Sequence, residues 1–468
     1  MHINWRGDVM LSVVCVLRRG LKVGICYSDS IVLQNKKIPV EKVYSFPMAL
    51  DVISHQGKYL VVSRETACWI VLENKKQLLF FELLKDHTIK EAINLFDGSE
   101  EDAICVITQI EARRFDSVEV HPVEEKTCMI YLTSACNLHC PHCYLSAGIA
   151  HENELSTKEI KELLALLSKE GIRELTLSGG EISVRKDLPE ILSYAKELSF
   201  ETKLLTNGTL WTPETVAAAA KLISAVQISV DGYSEEENAK VRGKGNFDKS
   251  LDTLDRFLEH DISVQLAITP FPEHGLRSKI ERYAQFGIEL NAKYSDKDFK
   301  ILFTTGIMDG RELKLTDKDR EEYKLIMQMV TTRYLGEDAS DYPFVLTHKS
   351  RKIMDNCSYG CLYISSNGDV NMCSRAGLKP VANIRKDDFS EILKLSKQAN
   401  KVSNVNNLIP CKDCCLKYIC GGGCRVAEFK AFKNGDAYLK EQPIRSCTKE
   451  HKEYYYDLMI RTNSRIFI

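Results

Sequence analysis

The chain has 468 residues, of which 44% are hydrophobic and 27% charged, which is ordinary for a globular protein. Its 63 basic and 65 acidic residues leave a formal charge of −2, which argues against a nucleic acid as partner. The apolar stretch 10–17 is too short to cross a bilayer and lacks a clear cleavage site, so we expect a cytoplasmic protein with no membrane partner.

Seventeen cysteines are many for such a chain, and most of them fall into spaced groups. In a reducing compartment, clustered cysteines indicate metal binding or catalysis more often than disulfide bonds. One group lies near the middle of the chain and a larger one near its C-terminus: Cys136, Cys140 and Cys143, then Cys357, Cys361, Cys373, Cys411, Cys414, Cys420, Cys424 and Cys447. Cys415 stands inside the larger group without an assigned role.

Residues 1–120 are predicted to form a small winged-helix-like module. Short apolar runs at 21–25, 59–62 and 67–72 predict strands separated by polar turns. Three helical patterns follow, near residues 76–85, 88–96 and 100–113. Residues 1–50 fit the module poorly and are interpreted as an added subdomain.

Residues 125–335 are predicted to form an open (β/α)6 barrel, which makes the chain an α/β protein. Strands and helices alternate six times, which favours a parallel sheet with right-handed crossovers. Such barrels carry their chemistry in the loops after the strands. The expected strands are 129–133, 174–177, 203–205, 226–230, 263–268 and 300–303. A last helix, 316–335, is expected to close the barrel.

A cysteine loop follows the first expected strand. Its residues are Cys136-Asn137-Leu138-His139-Cys140-Pro141-His142-Cys143-Tyr144. Three thiolates in a tight loop can hold an iron–sulfur cluster, and three ligands leave one iron of a [4Fe–4S] cluster open to a small molecule. The alternative is three cysteines on one helical face, which Asn137 and Pro141 argue against.

Distinctive residues also follow the next strands. Strand two is followed by Ser178-Gly179-Gly180-Glu181, strand three by Thr206-Asn207-Gly208-Thr209, and strand four by Ser229-Val230-Asp231-Gly232 with Arg242 beyond. Paired glycines allow a ligand to approach the backbone, and an arginine offers two parallel donors to a carboxylate. Asp309-Gly310-Arg311, after strand six, either meets a substrate or solvates a loop.

The cysteine loop, with its Cys-x-x-x-Cys-x-x-Cys-aromatic spacing after a strand, resembles the signature of the radical S-adenosylmethionine (SAM) enzymes. The resemblance implies a [4Fe–4S] cluster on Cys136, Cys140 and Cys143, whose open iron binds SAM. It further implies that the Gly-Gly-Glu stretch meets the methionyl amino group, with Ser and Arg on the carboxylate and ribose. The implied SAM contacts are Tyr144, Gly179, Gly180, Glu181, Asn207, Ser229 and Arg242. Ile182 departs from the proline that the family often has.

Residues 345–468 resemble the SPASM region of radical SAM enzymes that act on peptides and proteins. The resemblance implies two auxiliary [4Fe–4S] clusters, three clusters in all. One would be held by Cys357, Cys361, Cys373 and Cys424, and the other by Cys411, Cys414, Cys420 and Cys447. N–H groups of Gly421 to Gly423 are expected to point at sulfur. Two tetrahedral structural zinc sites are the alternative.

The N-terminal region resembles, weakly, the RiPP recognition elements, which bind the leader of a ribosomally made peptide by strand addition. A structural cap or a DNA-binding winged helix is the alternative. Together, the resemblances imply a peptide maturase that installs a crosslink in a precursor peptide. The similarity to thioether-forming sactipeptide and ranthipeptide maturases favours a cysteine thioether. Flavodoxin or ferredoxin is the expected electron donor. Carbon–carbon or carbon–oxygen crosslinking, sulfatase-type protein maturation and a zinc-stabilised binding protein remain rivals.

Overall fold

A computed structural model describes residues 15–17, 21–27, 30–33, 36–119, 121–122, 127–336, 352–374, 379–429 and 447–463. The residues between these ranges, which include parts of the expected N- and C-terminal regions, lie outside the described structure.

The N-terminal region contains two antiparallel sheets and three helices. The first sheet is a four-stranded meander of β1 (Cys15–Leu17), β2 (Leu21–Tyr27), β3 (Ser30–Leu33) and β4 (Lys36–Pro39). The second has the order β5 (Leu50–His55), β6 (Lys58–Ser63), β7 (Trp69–Leu72). The helices are α1 (Lys75–Leu83), α2 (Ile89–Leu95) and α3 (Glu100–Arg113). Three helices lie at the positions expected from the sequence.

The central region is a parallel sheet whose strands alternate with helices, as predicted. Six strands lie side by side in chain order: β9 (Thr127–Tyr131), β10 (Glu174–Ser178), β11 (Glu201–Thr206), β12 (Ala225–Val230), β13 (Ser263–Ile268) and β14 (Phe299–Phe303). The intervening helices are α4 (Thr157–Lys169), α5 (Leu188–Glu197), α6 (Pro213–Ala220), α7 (Glu235–Arg242), α8 (Asn246–Glu259) and α9 (Ile280–Lys293), and α10 (Asp317–Leu335) follows the last strand. Alternate strand residues, such as Leu204, Ile228 and Leu266, are fully buried beneath the helices.

The C-terminal region extends this sheet. After β8 (His121–Pro122) pairs with β15 (Lys352–Ile353), strand β16 (Leu362–Ile364) joins the sheet parallel to β9. Strands β17 (Asp369–Asn371) and β18 (Ala382–Asn383) continue it in antiparallel fashion. The described part of this region also contains four α-helices: α11 (Phe389–Ser403), α12 (Lys417–Cys420), α13 (Arg425–Glu428) and α14 (Lys449–Thr462). The barrel and the cysteine-rich region therefore share one sheet.

The second N-terminal sheet is buried on both faces. On one face, Val61, Ile70 and Leu72 pack against α1 to α3. On the other, the sheet packs against residues from the C-terminal region: Leu60, Val62, Trp69 and Val71 contact Ile353, Leu416, Ile419 and Met459. Arg113 of α3 adds a hydrogen bond from Nη1 to the carbonyl of Trp69. The N-terminal module is thus fixed to the cysteine-rich region.

Among the helices that the structure describes, none is long and apolar enough to cross a membrane.

We expect Met459→Ala to destabilise the contact between the N-terminal sheet and α14. The Met459 side chain is fully buried there, so its truncation should cost about 2–5 kcal/mol. The measurement is the urea midpoint of unfolding, followed by tryptophan fluorescence because Trp69 lies in the same contact. Met48→Ala is the control, because Met48 is 96% exposed and should shift the midpoint little. Equal midpoints for both variants would contradict this packing.

Candidate functional site

The cysteine loop is irregular, as Asn137 and Pro141 predicted, and it is tied to its own return segment. The N–H of Cys136 donates to the carbonyl of Gly148 at 2.9 Å, and the N–H of Gly148 donates to Ser134 at 2.9 Å. The N–H of Cys143 donates to Cys140 at 3.2 Å. All three cysteines are partly exposed, and their loop directly follows the end of β9.

The Gly-Gly-Glu stretch is clamped against the cysteine loop. The N–H groups of Gly180 and Glu181 donate to the carbonyls of Thr133 and Ala135, each at 2.8 Å. A Cβ on Gly179 would lie 2.5 Å from the Thr133 oxygen, and one on Gly180 would lie 2.2 Å from the Ala135 oxygen. The glycines are therefore required for backbone-to-backbone contact here, whereas the sequence predicted close approach of a ligand.

Glu181 connects two strand ends and is fully buried. One carboxylate oxygen accepts from the hydroxyls of Thr206 at 2.7 Å and Ser183 at 2.6 Å. The other accepts from the N–H of Asn207 at 2.7 Å. Buried carboxylates need such donors, and this set fixes the end of β11 against β10. Contact of Glu181 with the SAM amino group stays a prediction.

Asn137 is a site residue that the sequence did not single out. Its side-chain oxygen accepts from the Asn207 amide at 3.0 Å, and its own amide donates to Thr209 Oγ1 at 2.9 Å. The exposed part of the cysteine loop is thereby tied to the turn after β11. The two asparagines are 70 positions apart, so no short sequence motif could have predicted their contact. Only the folded structure brings them together.

Arg242 is the last residue of α7, a helix that was not predicted from the sequence. The guanidinium donates from Nε to Asp231 at 2.6 Å, and Asp231 is buried. The ring nitrogen Nε2 of His142, in the cysteine loop, lies 3.6 Å from the same carboxylate. Burial lowers the pKa of Arg242, but Asp231 and Cys140 outweigh it and raise the pKa above its ordinary value. A permanent positive charge therefore stands beside the cysteine loop, in the vicinity predicted for a SAM carboxylate.

Burial raises the pKa of two of the loop thiols, those of Cys136 and Cys140. The pKa of Cys140 rises to about 11, although Arg242 opposes the shift. Because metals bind thiolates, iron must displace the thiol protons. Three partly exposed cysteines from one loop, next to a fixed cation, form a donor set that fits an iron–sulfur cluster.

Tyr144 and Ser229 flank this donor set. The Tyr144 hydroxyl lies 3.4 Å from that of Tyr131, at the end of β9. Ser229 is half-buried on β12, on the sheet face that the helices leave uncovered. Lys203, which donates to Gln265 at 2.8 Å, occupies the same face. The uncovered face of the sheet therefore carries polar side chains.

The segment 309–312 braces the cysteine loop from the opposite side. The N–H of Arg311 donates to Cys143 at 3.1 Å, and that of Glu312 donates to Pro141 at 2.8 Å. A Cβ on Gly310 would lie 2.4 Å from the backbone of His142. The Asp309 carboxylate pairs with Arg320 at 2.9 Å. The backbone of this segment therefore packs against the cysteine loop, and a substrate contact by Asp309 or Arg311 stays a prediction.

One set of C-terminal cysteines lines a single pocket. Its walls are Cys411, Cys414, Cys420 and Cys447, together with Pro410, Leu416, Lys417, Gly422, His451 and Lys452. These four cysteines are one of the two sets inferred from the sequence. Cys415 lies outside the pocket, and its thiol donates to Cys414, which lowers the pKa of Cys414. Nε2 of His451 lies 3.2 Å from the sulfur of Cys420.

The other set is only partly assembled by the described contacts. Tyr363 pairs with Asn371 and Ile364 pairs with Val370 across β16 and β17. The N–H of Gly360 donates to the carbonyl of Met372 at 2.9 Å, which joins the residues that directly precede Cys361 and Cys373. Within the described ranges, no three His, Cys, Asp or Glu side chains converge on one metal ion. Cluster thiolates bind separate irons, so they need not converge as the ligands of tetrahedral zinc do.

Residues Gly421 to Gly423 form a turn, called here the triglycine turn. The prediction that its N–H groups point at sulfur was wrong at one position. The N–H of Gly421 donates to the carbonyl of Lys417 at 3.0 Å rather than to a sulfur. All three glycines have positive φ, between 67° and 78°, which favours glycine over other residues. The turn directs the carbonyls of Gly421 and Gly423 toward Arg425.

The fold is a parallel sheet flanked by helices, with three cysteines in the loop after its first central strand. This combination is typical of enzymes that bind an iron–sulfur cluster. The sequence model of the Radical SAM superfamily matches residues 130–282. The AdoMet-dependent heme synthase of Methanosarcina barkeri (strain Fusaro / DSM 804) is 30% identical over 337 residues, 67% of this chain and 93% of that protein. The chain belongs to the radical SAM superfamily, which implies a [4Fe–4S] cluster and SAM.

Further relatives have names that refer to maturation. The sporulation killing factor maturation protein SkfB of Bacillus subtilis (strain 168) is 29% identical over 271 residues, 57% of this chain and 64% of SkfB. The mycofactocin maturase MftC of Mycolicibacterium smegmatis (strain ATCC 700084 / mc(2)155) is 42% identical over 128 residues, 26% of this chain and 32% of MftC. The chain thus spans less than two thirds of either of these proteins.

A solved structure shows the same fold. Native anSMEcpe with bound AdoMet superposes with a TM-score of 0.52 at 18% sequence identity, covering 73% of this chain and 97% of that one. The α/β architecture with a largely parallel sheet is thereby confirmed.

We expect Gly180→Ala to abolish most reductive cleavage of SAM. The new Cβ would meet the Ala135 oxygen at 2.2 Å and displace the cysteine loop. A displacement of about 1 Å can cost about 100-fold in rate, measured here as 5′-deoxyadenosine formed under dithionite. Gly148→Ala is the matched control in the same loop, since its Cβ meets nothing within 4 Å. A Gly180→Ala enzyme as fast as the control would contradict the clamp.

Proposed function

We propose that this protein is a radical SAM peptide maturase that installs a crosslink, with a cysteine thioether as the favoured bond, in a ribosomally synthesised precursor peptide. The observation that carries the proposal is the packing of an N-terminal sheet-and-helix module on a cysteine-rich C-terminal region that shares its sheet with the SAM-binding barrel. A peptide held by the module would be close to both predicted cluster regions. The names of SkfB and MftC, which refer to maturation, support a maturase.

The chain's own residues would seat the cofactors and the substrate. Cys136, Cys140 and Cys143 would hold the SAM cluster, and the clamp at Gly180 would fix their loop. Arg242 and Ser229 would face the SAM carboxylate and ribose. When bound, cluster and SAM supply a carbon radical that removes hydrogen from an unactivated carbon. The uncovered polar face of the sheet would position the peptide and limit access of water.

The C-terminal cysteines would hold two auxiliary clusters, one of them in the pocket lined by Cys411, Cys414, Cys420 and Cys447. Forming a thioether from a thiol and a C–H bond removes two electrons and two protons. The SAM-derived radical accepts one hydrogen atom, and an auxiliary cluster is suited to take up the second electron. The second proton would leave from the cysteine thiol. Flavodoxin or ferredoxin remains the proposed source of the electron that starts each cycle.

Among the described residues, the second N-terminal sheet offers one free edge to a leader peptide. The outward N–H and C=O of Val71 on β7 are already hydrogen-bonded to the side-chain amide of Gln109. At the other edge, pairing with β6 directs the backbone of Val52 and Ser54 outward. Both residues are exposed, and no described residue outside the hairpin bonds to their backbone. Strand addition would therefore occur on β5.

The reaction product tests the proposal directly. Incubated anaerobically with SAM, a reductant and the precursor encoded beside it, the enzyme should yield a peptide lighter by two hydrogen atoms. Mass spectrometry with thiol alkylation separates the possible bonds. A thioether bond removes one free cysteine thiol, which the alkylating reagent then cannot modify. A carbon–carbon or carbon–oxygen crosslink leaves every cysteine thiol available to the reagent. An unchanged precursor mass, with SAM being cleaved, would overturn the proposal.

Leader binding on β5 predicts a selective effect of Val52→Pro. Proline removes the outward N–H of this strand without removing a bond to β6, so precursor affinity should fall by about tenfold while SAM cleavage persists. Val52→Thr is the matched control, because it keeps both the N–H and the β-branched shape. Fluorescence anisotropy with labelled precursor measures the affinity. Equal affinities for the two variants would place the leader elsewhere.

A second candidate is chemistry on a tetrapyrrole. It is favoured by the match that covers 93% of the AdoMet-dependent heme synthase. That match leaves about a third of this chain unaligned. Titration with iron coproporphyrin, followed by its absorbance, distinguishes the two functions, since a peptide maturase should show no saturable binding.

A further inference from the structure

Arg425 is the charged side chain of the C-terminal region that is most completely enclosed among the described residues. It follows Cys424 directly and is fully buried, at 0% exposure. Its partners are carbonyls: Nε donates to Ser403 at 2.6 Å, and Nη1 donates to Gly421 at 2.8 Å and to Gly423 at 2.5 Å. Nη2 is buried without a hydrogen-bond partner in the described structure.

Neutral carbonyls do not offset the charge of this guanidinium. A buried ion costs several kcal/mol unless an opposite charge accompanies it. Across the described residues, no carboxylate forms an ion pair with Arg425. Among the described residues, the groups beside Arg425 that can become negatively charged are thiols.

The electrostatic neighbours of Arg425 are cysteines from both predicted ligand sets. Cys357 and Cys424 belong to one set, and Cys411 and Cys420 belong to the other. The triglycine turn joins Cys420 to Cys424, and its carbonyls face Arg425. The guanidinium is therefore hydrogen-bonded to Gly421, which follows Cys420 of one set, and to Gly423, which precedes Cys424 of the other.

A hydrogen-bonded path also leads from Arg425 to Cys357. Ser403, whose carbonyl accepts from Arg425, donates through its hydroxyl to the Asn356 side chain at 3.1 Å. The same Asn356 oxygen accepts from the N–H of Cys357 at 2.9 Å. Arg425 is thus tied by rigid contacts to segments that carry cysteines of each set.

We propose that Arg425 is a positioning residue whose buried guanidinium lies between the two predicted auxiliary clusters and provides the counter-charge that both share. The inference rests on the proposed function, in which eight C-terminal cysteines hold these clusters. Each four-thiolate cluster carries net negative charge, and net charge and hydrogen bonding help to set its reduction potential. The cation therefore favours loading of iron and raises both potentials.

The test uses the full chain with Cys136, Cys140 and Cys143 all replaced by alanine, so that EPR detects auxiliary clusters alone. In this background, Arg425→Gln and Arg425→Met remove the charge, whereas Arg425→Lys keeps it. Iron and sulfide content and midpoint potentials are measured after anaerobic reconstitution. Lys397→Gln is the matched control, since it removes one exposed cation from α11.

The two neutral variants should show lower midpoint potentials, lose auxiliary iron, or both. Arg425→Lys and Lys397→Gln should stay close to the parent. Unshifted potentials with full iron in the neutral variants would overturn the proposal, as would equal loss of iron in Lys, Gln and Met variants. Absence of auxiliary signals from the parent chain itself would instead overturn the cluster assignment of the proposed function.

Discussion

The backbone contact between the Gly-Gly-Glu stretch and the cysteine loop is the constraint on which the site depends. Two N–H groups, from Gly180 and Glu181, donate to Thr133 and Ala135 at 2.8 Å. The backbones lie so close that a Cβ on Gly179 or Gly180 would clash with Thr133 or Ala135. Through Glu181 the same contact reaches Asn207, so one short stretch aligns the ends of three neighbouring strands. The segment 309–312 then holds the loop from its other side.

The second organising feature is continuity between regions that the sequence treats as separate. Strand β16 adds to the barrel sheet beside β9, directly under the cysteine loop. Arg385, beyond β18, pairs with Glu159 of α4 at 2.6 Å and donates to the carbonyl of Asn153. The N-terminal sheet covers the opposite side of the cysteine-rich region. The N-terminal sheet, the central sheet and the cysteine-rich region are therefore packed against one another.

Local periodicity was sufficient to predict the central strands and most helices, because each buries a regular apolar face. It missed α7 since only Asn238 and Val241 are buried in that helix, which leaves little hydrophobic pattern. The family resemblance divided the C-terminal cysteines into two sets, and one of these sets lines a pocket. The pairs Asn137–Asn207 and Arg242–Asp231, the enclosure of Arg425 and the register of β16 depend on tertiary contacts. None of these contacts produces a pattern among residues that are adjacent in the sequence.

The most direct test of the central claim is SAM turnover by a chain in which Cys136, Cys140 and Cys143 are all replaced by alanine. If these thiols hold the cluster that activates SAM, 5′-deoxyadenosine formation should fall to the level of the enzyme-free reaction, while the C-terminal cysteines still bind iron. Formation of 5′-deoxyadenosine at the rate of the unmodified chain would contradict the account.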